Sequence, residues 1–268
     1  MQKTGFIHLS DPHILTSYDK GYFRNLSKDG ESPTDNLEVA LAHIAGRFGG
    51  AEFMLITGDL THEGGAEDYG LLRRILEENV KCPVFTTLGN HDDPSSFRRG
   101  YLGETRGDEA CYYAQGVNGL RIIALDTMVS GCESGKLGGE QLAWLKALLQ
   151  NPSPRGSILL LHHPPAREIR EGLFQRGLEN PEDLLSCIQG GDIRAIFSGH
   201  THRSGAMTFG GIPHYTAGST AFGVSFDDSY LHITSQRSFN YGIIHDHEIY
   251  IETYPLTDAG KIIFSIPL

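Results

Sequence analysis

Phe53-Met54-Leu55-Ile56-Thr57-Gly58-Asp59 is an apolar run that ends abruptly in a glycine and a carboxylate. A short apolar stretch bounded by a turn signal predicts a strand buried on both faces, residues 53–57. Gly58 then allows a tight turn and leaves Asp59 at the strand's carboxyl end. The same grammar recurs on either side. Residues 5–10 lead into Asp11-Pro12-His13, and residues 84–88 lead into Gly89-Asn90-His91-Asp92. Further on, residues 158–161 lead into His162-His163-Pro164, and residues 194–197 into Gly199-His200-Thr201-His202. Strands of one sheet carry whatever follows them to one edge. Patches far apart in the chain are therefore predicted to meet.

Between these strands lie helical patterns. Pro33, Thr34 and Asp35 open a helix that runs to Phe48, with Leu37, Leu41 and Ile44 at spacings of four and three, and Gly49-Gly50 stop it. Residues 67–78 give the next helix, and the resulting βαβ rhythm places the chain in the α/β class. Beyond residue 110 the pattern becomes mixed. Residues 111–113 and 120–125 read as strands, 139–150 as an amphipathic helix, and 206–209 with 212–216 as antiparallel strands. Residues 241–254 read as a hairpin around His245-Asp246-His247. The expected architecture is two mixed sheets packed face to face with helices outside, forming one domain over residues 1–268. Residues 203–268 are expected to add a strand-rich cap or a dimerisation segment.

A chain of 268 residues is long enough to bury a large core. Its formal charge of −11 argues against nucleic acid or an anionic membrane as the main partner, because affinity for a phosphate backbone depends on clustered Lys and Arg. Small phosphate esters remain open, since bound cations would reverse the local field. The 4 cysteines, Cys82, Cys111, Cys132 and Cys187, show no CxxC spacing, which points to reduced thiols rather than a zinc-thiolate site or a disulfide scaffold. The amino-terminal residues show no basic segment followed by a long apolar run, and no stretch approaches membrane-spanning length. A cytoplasmic location without membrane association is the expectation.

A pair of hard or borderline metal ions needs oxygen donors and imidazoles, with one carboxylate able to bridge ions about 3.5–4 Å apart. The patches supply that mixture. Asp11 and His13 occupy alternate positions around Pro12, Asp59 stands at a strand end where a carboxylate can bridge, Asn90 offers an amide beside His91, and His200 and His202 flank Thr201. Singly, each is a weak signal, because a Gly-Asp after an apolar run is usually only a turn. Recurrence of the pattern after five apolar runs makes coincidence improbable.

Taken together, these blocks resemble the calcineurin-like metallophosphoesterase superfamily, whose signature is D-x-H, G-D, G-N-H-[DE], H and G-H-x-H in that order. Leu9-Ser10-Asp11-Pro12-His13, His162-His163-Pro164-Pro165, residues 192–196 and Gly211-Ile212-Pro213 are similar to the class III cyclic-nucleotide phosphodiesterase and glycerophosphodiesterase branch. The resemblance implies an αββα fold in which Asp11, His13, Asp59 and His202 hold one metal ion and Asp59, Asn90, His162 and His200 hold the other. Asp59 would be the bridge. His162 is favoured over His163 by the family's H-x-P pattern, and the choice between the two stays open at this point. The ions implied are Mn or Fe, with Zn or Co as alternatives, and a homodimer or larger oligomer is expected from the branch.

Hydrolysis of a phosphate ester requires a nucleophile at neutral pH, neutralisation of charge on the phosphoryl oxygens, and a proton for the leaving oxygen. A water bridging two metal ions meets the first need and the ions meet the second. His91 is expected beside the phosphate as the catalytic proton donor, with Asp92 orienting it, as the resemblance implies. The reaction expected is hydrolysis of a small phosphodiester, cyclic nucleotides first and glycerophosphodiesters next. Phosphomonoesters or nucleotide pyrophosphates at the same site are the alternative, and a metal-binding scaffold without turnover is the reading from another class. His8, His43 and His62 carry no donor spacing and read as structural, and Asp126 reads as a loop cap. His214 is a candidate for the substrate side. Tyr18, Tyr22, Phe23, Phe97 and Tyr101 are candidates to stack on a nucleobase or to pack a cap, and Arg98-Arg99 to meet an anionic substrate.

Overall fold

The first strand, β1 (Lys3–Leu9), begins a parallel βαβαβ unit: helix α1 (Pro33–Phe48), β2 (Phe53–Thr57), helix α2 (Ala66–Asn79) and β3 (Val84–Thr87). The computed structural model describes residues 3–19, 24, 32–105, 107, 109–165, 177–257 and 260–267. Helix α1 starts where Pro33 and its neighbours predict. Ser32 accepts from the Asp35 amide while the Asp35 carboxylate reaches back to the Ser32 amide, a reciprocal cap. A short helix α3 (Pro94–Phe97) runs into a π-helical turn at Arg98–Leu102.

The second half of the chain holds β4 (Tyr113–Val117), β5 (Leu120–Ala124), helix α4 (Gly139–Leu148), β6 (Ser157–Leu160), helix α5 (Pro181–Ile188), β7 (Ile193–Ser198), β8 (Gly205–Phe209) and β9 (Ile212–Thr216). It ends with β10 (Gly223–Phe226), β11 (Tyr230–Thr234), β12 (Ser238–His245), β13 (Glu248–Pro255) and β14 (Ile262–Pro267). A five-stranded sheet has the order β13-β12-β1-β2-β3, and a six-stranded sheet has the order β4-β5-β6-β7-β9-β8. Both are mixed, as expected, and helices lie outside them. A third sheet, β10-β11-β14, is small.

The alternation of side chains along each strand builds the layers. From the first sheet, Phe6, Phe53 and Phe85 face inward and meet Ile122, Ile158 and Phe197 of the second. Phe6 stacks on Phe53 at 5.1 Å and meets Phe197 edge-on at 5.4 Å. The opposite face of β1 and β2, with Ile7, Leu9, Met54 and Ile56, receives Leu37 and Leu41 of α1 and Leu72 of α2. The outer face of the second sheet receives Leu145 of α4 and Leu184 and Ile188 of α5. Each fully buried Leu or Phe here contributes roughly 1.5–3 kcal/mol of transfer free energy, which fixes the strand ends relative to one another.

Some local expectations are corrected. Cys111 and Tyr112 precede β4 rather than belonging to it, because the Cys111 amide is taken by the Asp126 carboxylate at 2.8 Å instead of a strand partner. Helix α5 was not expected, although Pro181 followed by Glu182 and Asp183 is a helix-start signal. Strand patterns located β12 and β13 but not their partner. They extend the first sheet through antiparallel pairing of β12 with β1, from Lys3 opposite His245 to His8 opposite Asn240. Residues after His202 are thereby divided among all three sheets.

Candidate metal centre

Parallel pairing brings the carboxyl ends of β1, β2 and β3 to one edge of the first sheet, with Leu9 opposite Ile56 and Thr57 opposite Thr87. In the second sheet, β6 and β7 end together, with Leu160 opposite Phe197. The turns beyond these ends are tied by backbone hydrogen bonds: Asp11 N–H to Gly58 O at 3.1 Å, His13 N–H to Asp59 O at 3.0 Å, and Gly199 N–H to His162 O at 3.1 Å. Gly58 adopts φ 88°, and a side chain there would collide with the His162 ring. A side chain at Gly89 would collide with the Asp59 carboxylate. Asp11, His13, Asp59, His200 and His202 all have φ between 48° and 71°, a left-handed conformation that costs roughly 1–2 kcal/mol for a residue with a Cβ. Strain of this kind, concentrated in one turn cluster, marks a functional site.

The side chains converge as two facing groups of donor atoms. In one, Nε2 of His13 lies 3.1 Å from Nε2 of His202 and 3.6 Å from Asp59 Oδ2, and His202 Nε2 lies 3.4 Å from Asp11 Oδ1. In the other, His162 Nε2 lies 3.4 Å from Asp59 Oδ1 and 3.1 Å from Asn90 Oδ1. His200 Nδ1 completes that group at 3.0 Å from Asn90 Oδ1 and 3.3 Å from His162 Nε2. Asp59 thus turns one oxygen to each group. Two of the imidazoles have their tautomer fixed from behind. His162 Nδ1 donates to the Thr57 carbonyl at 2.7 Å and His202 Nδ1 to the Phe222 carbonyl at 2.9 Å, so each Nε2 faces the centre.

The electrostatics favour a cation. Asp11 and Asp59 are 0% and 2% exposed, and their ion-pair partners among the described residues are imidazoles. Burial raises the Asp11 carboxyl, to about 7, against the pull of His162. Burial would raise Asp59 as well, but the His162 imidazole, together with His13 and His91, outweighs it and holds that carboxylate well below its usual range. Burial also works to lower His162, and the Asp59 carboxylate, together with Asp11 and the Thr57 carbonyl, overrides it, raising the imidazole to about 9. His200 is pushed down to about 3 by burial and by His162, His202 to about 4 by burial, and His13 well below its ordinary value by burial. These three are neutral near pH 7, with an inward nitrogen turned toward Asp59 in His13, toward Asp11 in His202 and toward the Asn90 amide oxygen in His200. A donor set of two carboxylates, an amide and four imidazoles at these separations fits transition-metal ions and leaves Asp11 short of positive charge without one.

His91 sits at the rim. Its backbone N–H donates to Asp59 Oδ1 at 3.0 Å, its ring lies 5.3 Å from that of His13, and its Nδ1 is 4.0 Å from Glu63 Oε1. Asp92 does not orient it. The Asp92 carboxylate accepts from the amides of Leu60, Thr61 and Gly89 at 3.0, 3.1 and 2.8 Å and from the Tyr69 hydroxyl at 2.7 Å. It clamps the turns after β2 and β3 together, and that explains an acid at this position.

Other expectations fall differently. His214 is not on the substrate side: it is buried between the sheets, with Nε2 2.7 Å from Ser198 Oγ. His8 is buried too, bonded to Thr57 Oγ1 at 2.9 Å and Asn240 at 3.3 Å. Asp126 caps its loop through the amides of Cys111 and Met128. Phe97 and Tyr101 stack on each other at 5.1 Å beneath Tyr69, and Tyr18 bonds to Thr34 and packs on the small sheet, so these aromatics pack rather than face a substrate. Tyr22 and Phe23, and residues 166–176 of the loop after Pro165, lie outside the described residues. Arg98 pairs with Glu104 at 2.8 Å, and Arg99 bonds to Ser95 and Ser96. His62 is the residue that sequence reasoning passed over. Its Nδ1 is 3.2 Å from His13 Nδ1 and its ring stacks on His91 at 4.3 Å. Its place three residues after Asp59, on the same turn, was the available signal.

Comparison with known proteins agrees with this geometry. A family model described as calcineurin-like phosphoesterase matches residues 5–204. A probable cyclic nucleotide phosphodiesterase of Rhodococcus erythropolis is 35% identical over 219 residues, covering 81% of this chain and 70% of that protein. A cAMP/cGMP dual specificity phosphodiesterase of Mycobacterium tuberculosis is 32% identical over 223 residues, covering 81% and 67%. Among solved structures, a dimetal phosphatase from Danio rerio superimposes with a TM-score of 0.62 at 14% identity, covering 98% of both chains. At that identity the likeness is one of fold.

Proposed function

The chain belongs to the calcineurin-like phosphoesterase family of phosphoric ester hydrolases, and from that premise we propose that it hydrolyses small phosphodiesters at a dinuclear metal centre held by Asp11, His13, Asp59, Asn90, His162, His200 and His202. The observation that carries this reading is the Asp59 carboxylate, with Oδ2 toward His13 and Oδ1 toward His162. Two bound ions would supply positive charge for the phosphoryl oxygens and the means to make water nucleophilic at neutral pH. The protein residues divide the remaining work. Asp59 fixes the spacing of the two donor groups. The Thr57 and Phe222 carbonyls hold His162 and His202 in the tautomer that turns Nε2 inward. Asp92 keeps the two turns from separating, and His91, at the mouth, reaches an oxygen of a bound ester and can give it a proton.

Cyclic nucleotides are the leading substrate class. The relatives named above for cyclic nucleotides cover most of the chain, and its acidity disfavours long nucleic acids. The test is the ratio of kcat/KM for an activated aryl phosphodiester to that for the matching monoester, with manganese-loaded protein and a chelated control. A ratio well above one, abolished by chelation, is the expected result. A ratio below one would replace the diesterase with a phosphatase, and no turnover of either ester would leave a scaffold. Among the described residues no helix is long and apolar enough to cross a membrane.

A further inference from the structure

An imidazole that gives one nitrogen to a metal carries its proton on the other, and that N–H needs an acceptor. For His162 and His202 the acceptors are the backbone carbonyls of Thr57 and Phe222. The other two imidazoles of the centre meet histidines instead. His13 turns Nε2 inward, and its Nδ1 lies 3.2 Å from Nδ1 of His62. His200 turns Nδ1 inward, and its Nε2 is buried without a hydrogen-bond partner among the described residues. Nε2 of His163 is in the same condition, and the two rings lie 4.7 Å apart. The Thr127 hydroxyl occupies the far side of His163, 2.7 Å from its Nδ1.

We propose that in the metal-loaded centre His62 and His163 are positioning residues that accept the outer N–H of His13 and His200, the first across the 3.2 Å contact already present and the second by closing a gap that no hydrogen bond spans in this structure, so that half of the imidazoles of the centre are backed by further imidazoles. The assignment rests on the dinuclear reading above. It fixes the tautomer of both residues. His62 accepts on Nδ1 and therefore carries its proton on Nε2. His163 donates from Nδ1 to Thr127 Oγ1 and accepts on Nε2. Neither then has a lone pair left for a cation. His62, Glu63 and His91 present donor atoms within 4.8 Å of one another, but with its remaining nitrogen protonated His62 cannot complete a third metal site there. Likewise His163, within the same distance of His162 and His200, stays outside the metal's reach although it adjoins His162 in the chain. Because the acceptors are neutral, they orient His13 and His200 without adding negative charge to a centre that already holds two carboxylates.

The chemistry allows a crossed test with matched side chains, since an Asn amide reaches about as far as Nδ1 of a histidine and a Gln amide about as far as Nε2. Parent protein and His62→Asn, His62→Gln, His163→Asn and His163→Gln are loaded with manganese and titrated with a chelator, and retained metal is measured by elemental analysis beside the melting temperature of each metal-free form. His62→Asn and His163→Gln are expected to hold metal within about threefold of the parent. His62→Gln and His163→Asn are expected to hold one ion about ten- to a hundredfold more weakly, the usual scale for loss of an outer hydrogen-bond partner. The parent should saturate at two ions per chain. Equal retention by the two amides at either position, the reverse order, a third ion, or losses that merely follow the metal-free melting temperature would overturn the assignment. A parent that retains no metal would overturn the dinuclear reading and this assignment with it, whereas a parent holding two ions beside indifferent variants would overturn the assignment alone.

Discussion

The two halves of the donor cluster share Asp59, carry two imidazoles each, and differ in the remaining donor. One half adds Asp11, His13 and His202, and the other adds Asn90, His162 and His200, so a carboxylate on one side stands opposite a neutral amide on the other. Burial is similar on the two sides, so the difference lies in charge. A cation in the Asp11 half meets a carboxylate of its own besides the shared one, while a cation in the Asn90 half has only its share of Asp59. Affinity for a cation rises with the charge of its donors, so two ions bound here would be held unequally, the one beside Asp11 more tightly. The same asymmetry appears without an ion: burial leaves Asp11 raised to about 7, the mark of a carboxylate lacking its counter-charge.

The most severe way to break this comparison is to remove what the halves share. Asp59→Ala should abolish retention of both ions and lower kcat/KM by at least about a thousandfold, the scale on which loss of organised charge at a reacting centre is felt. His91→Ala serves as its contrast, because it leaves both halves intact: kcat should fall by about 10²–10⁴ with metal content unchanged. Elemental analysis beside steady-state kinetics separates the two variants, and a His91 variant of unaltered turnover would remove its role as proton donor.

A smaller effect sharpens the comparison. Asp11→Asn makes the halves alike in charge, and it should weaken the tighter ion by about ten- to a hundredfold while sparing the weaker one. Asn90→Ala should do the opposite, emptying the weak half first. Stepwise metal binding followed by calorimetry distinguishes them. If Asp11→Asn left the two-step isotherm unchanged, charge would not be the source of the asymmetry.

The smallest effect concerns the sheets beneath the centre. His8 is held down to about 3 by burial and by His214, and His214 to about 4 by burial. Both are neutral at pH 7, folded or unfolded. Below about 6.5 the unfolded chain takes up protons that the folded chain refuses, so stability is complete above that pH and is lost progressively as pH falls toward 4. For His214 the loss amounts to about 3 kcal/mol at most. Urea unfolding of metal-free protein at pH 7 and pH 5 should show a steeper acid loss in the parent than in His214→Gln. Identical slopes would mean that His214 is protonated in the folded state.

Much of this was legible in the chain itself. Apolar runs ending in Gly58-Asp59 or Gly89-Asn90 announce buried strands and the turns after them, because period and turn chemistry are local properties. The donor types at those turns, and the order in which they follow one another, named the chemistry and the family. Helix α1 and strand β2 were readable to the residue, since Pro33, Gly49-Gly50 and Gly58 are strong start and stop signals.

Pairing and orientation were not legible, because they depend on what arrives from elsewhere in the chain. Nothing local says that β12 joins β1, that Asp92 spends its oxygens on three amides and a tyrosine rather than on His91, or that His214 is sealed between sheets. His62 looked idle because its partner, His13, lies 49 positions away. His162 and His163 are neighbours with the same side chain, and only the packing of two sheets turns one toward Asp59 and the other toward Thr127. Sequence therefore determined which donors this protein has and roughly where its turns fall. Tertiary structure decided which nitrogen of each imidazole faces inward, because that choice is made by a carbonyl, a hydroxyl or another ring brought in across the fold.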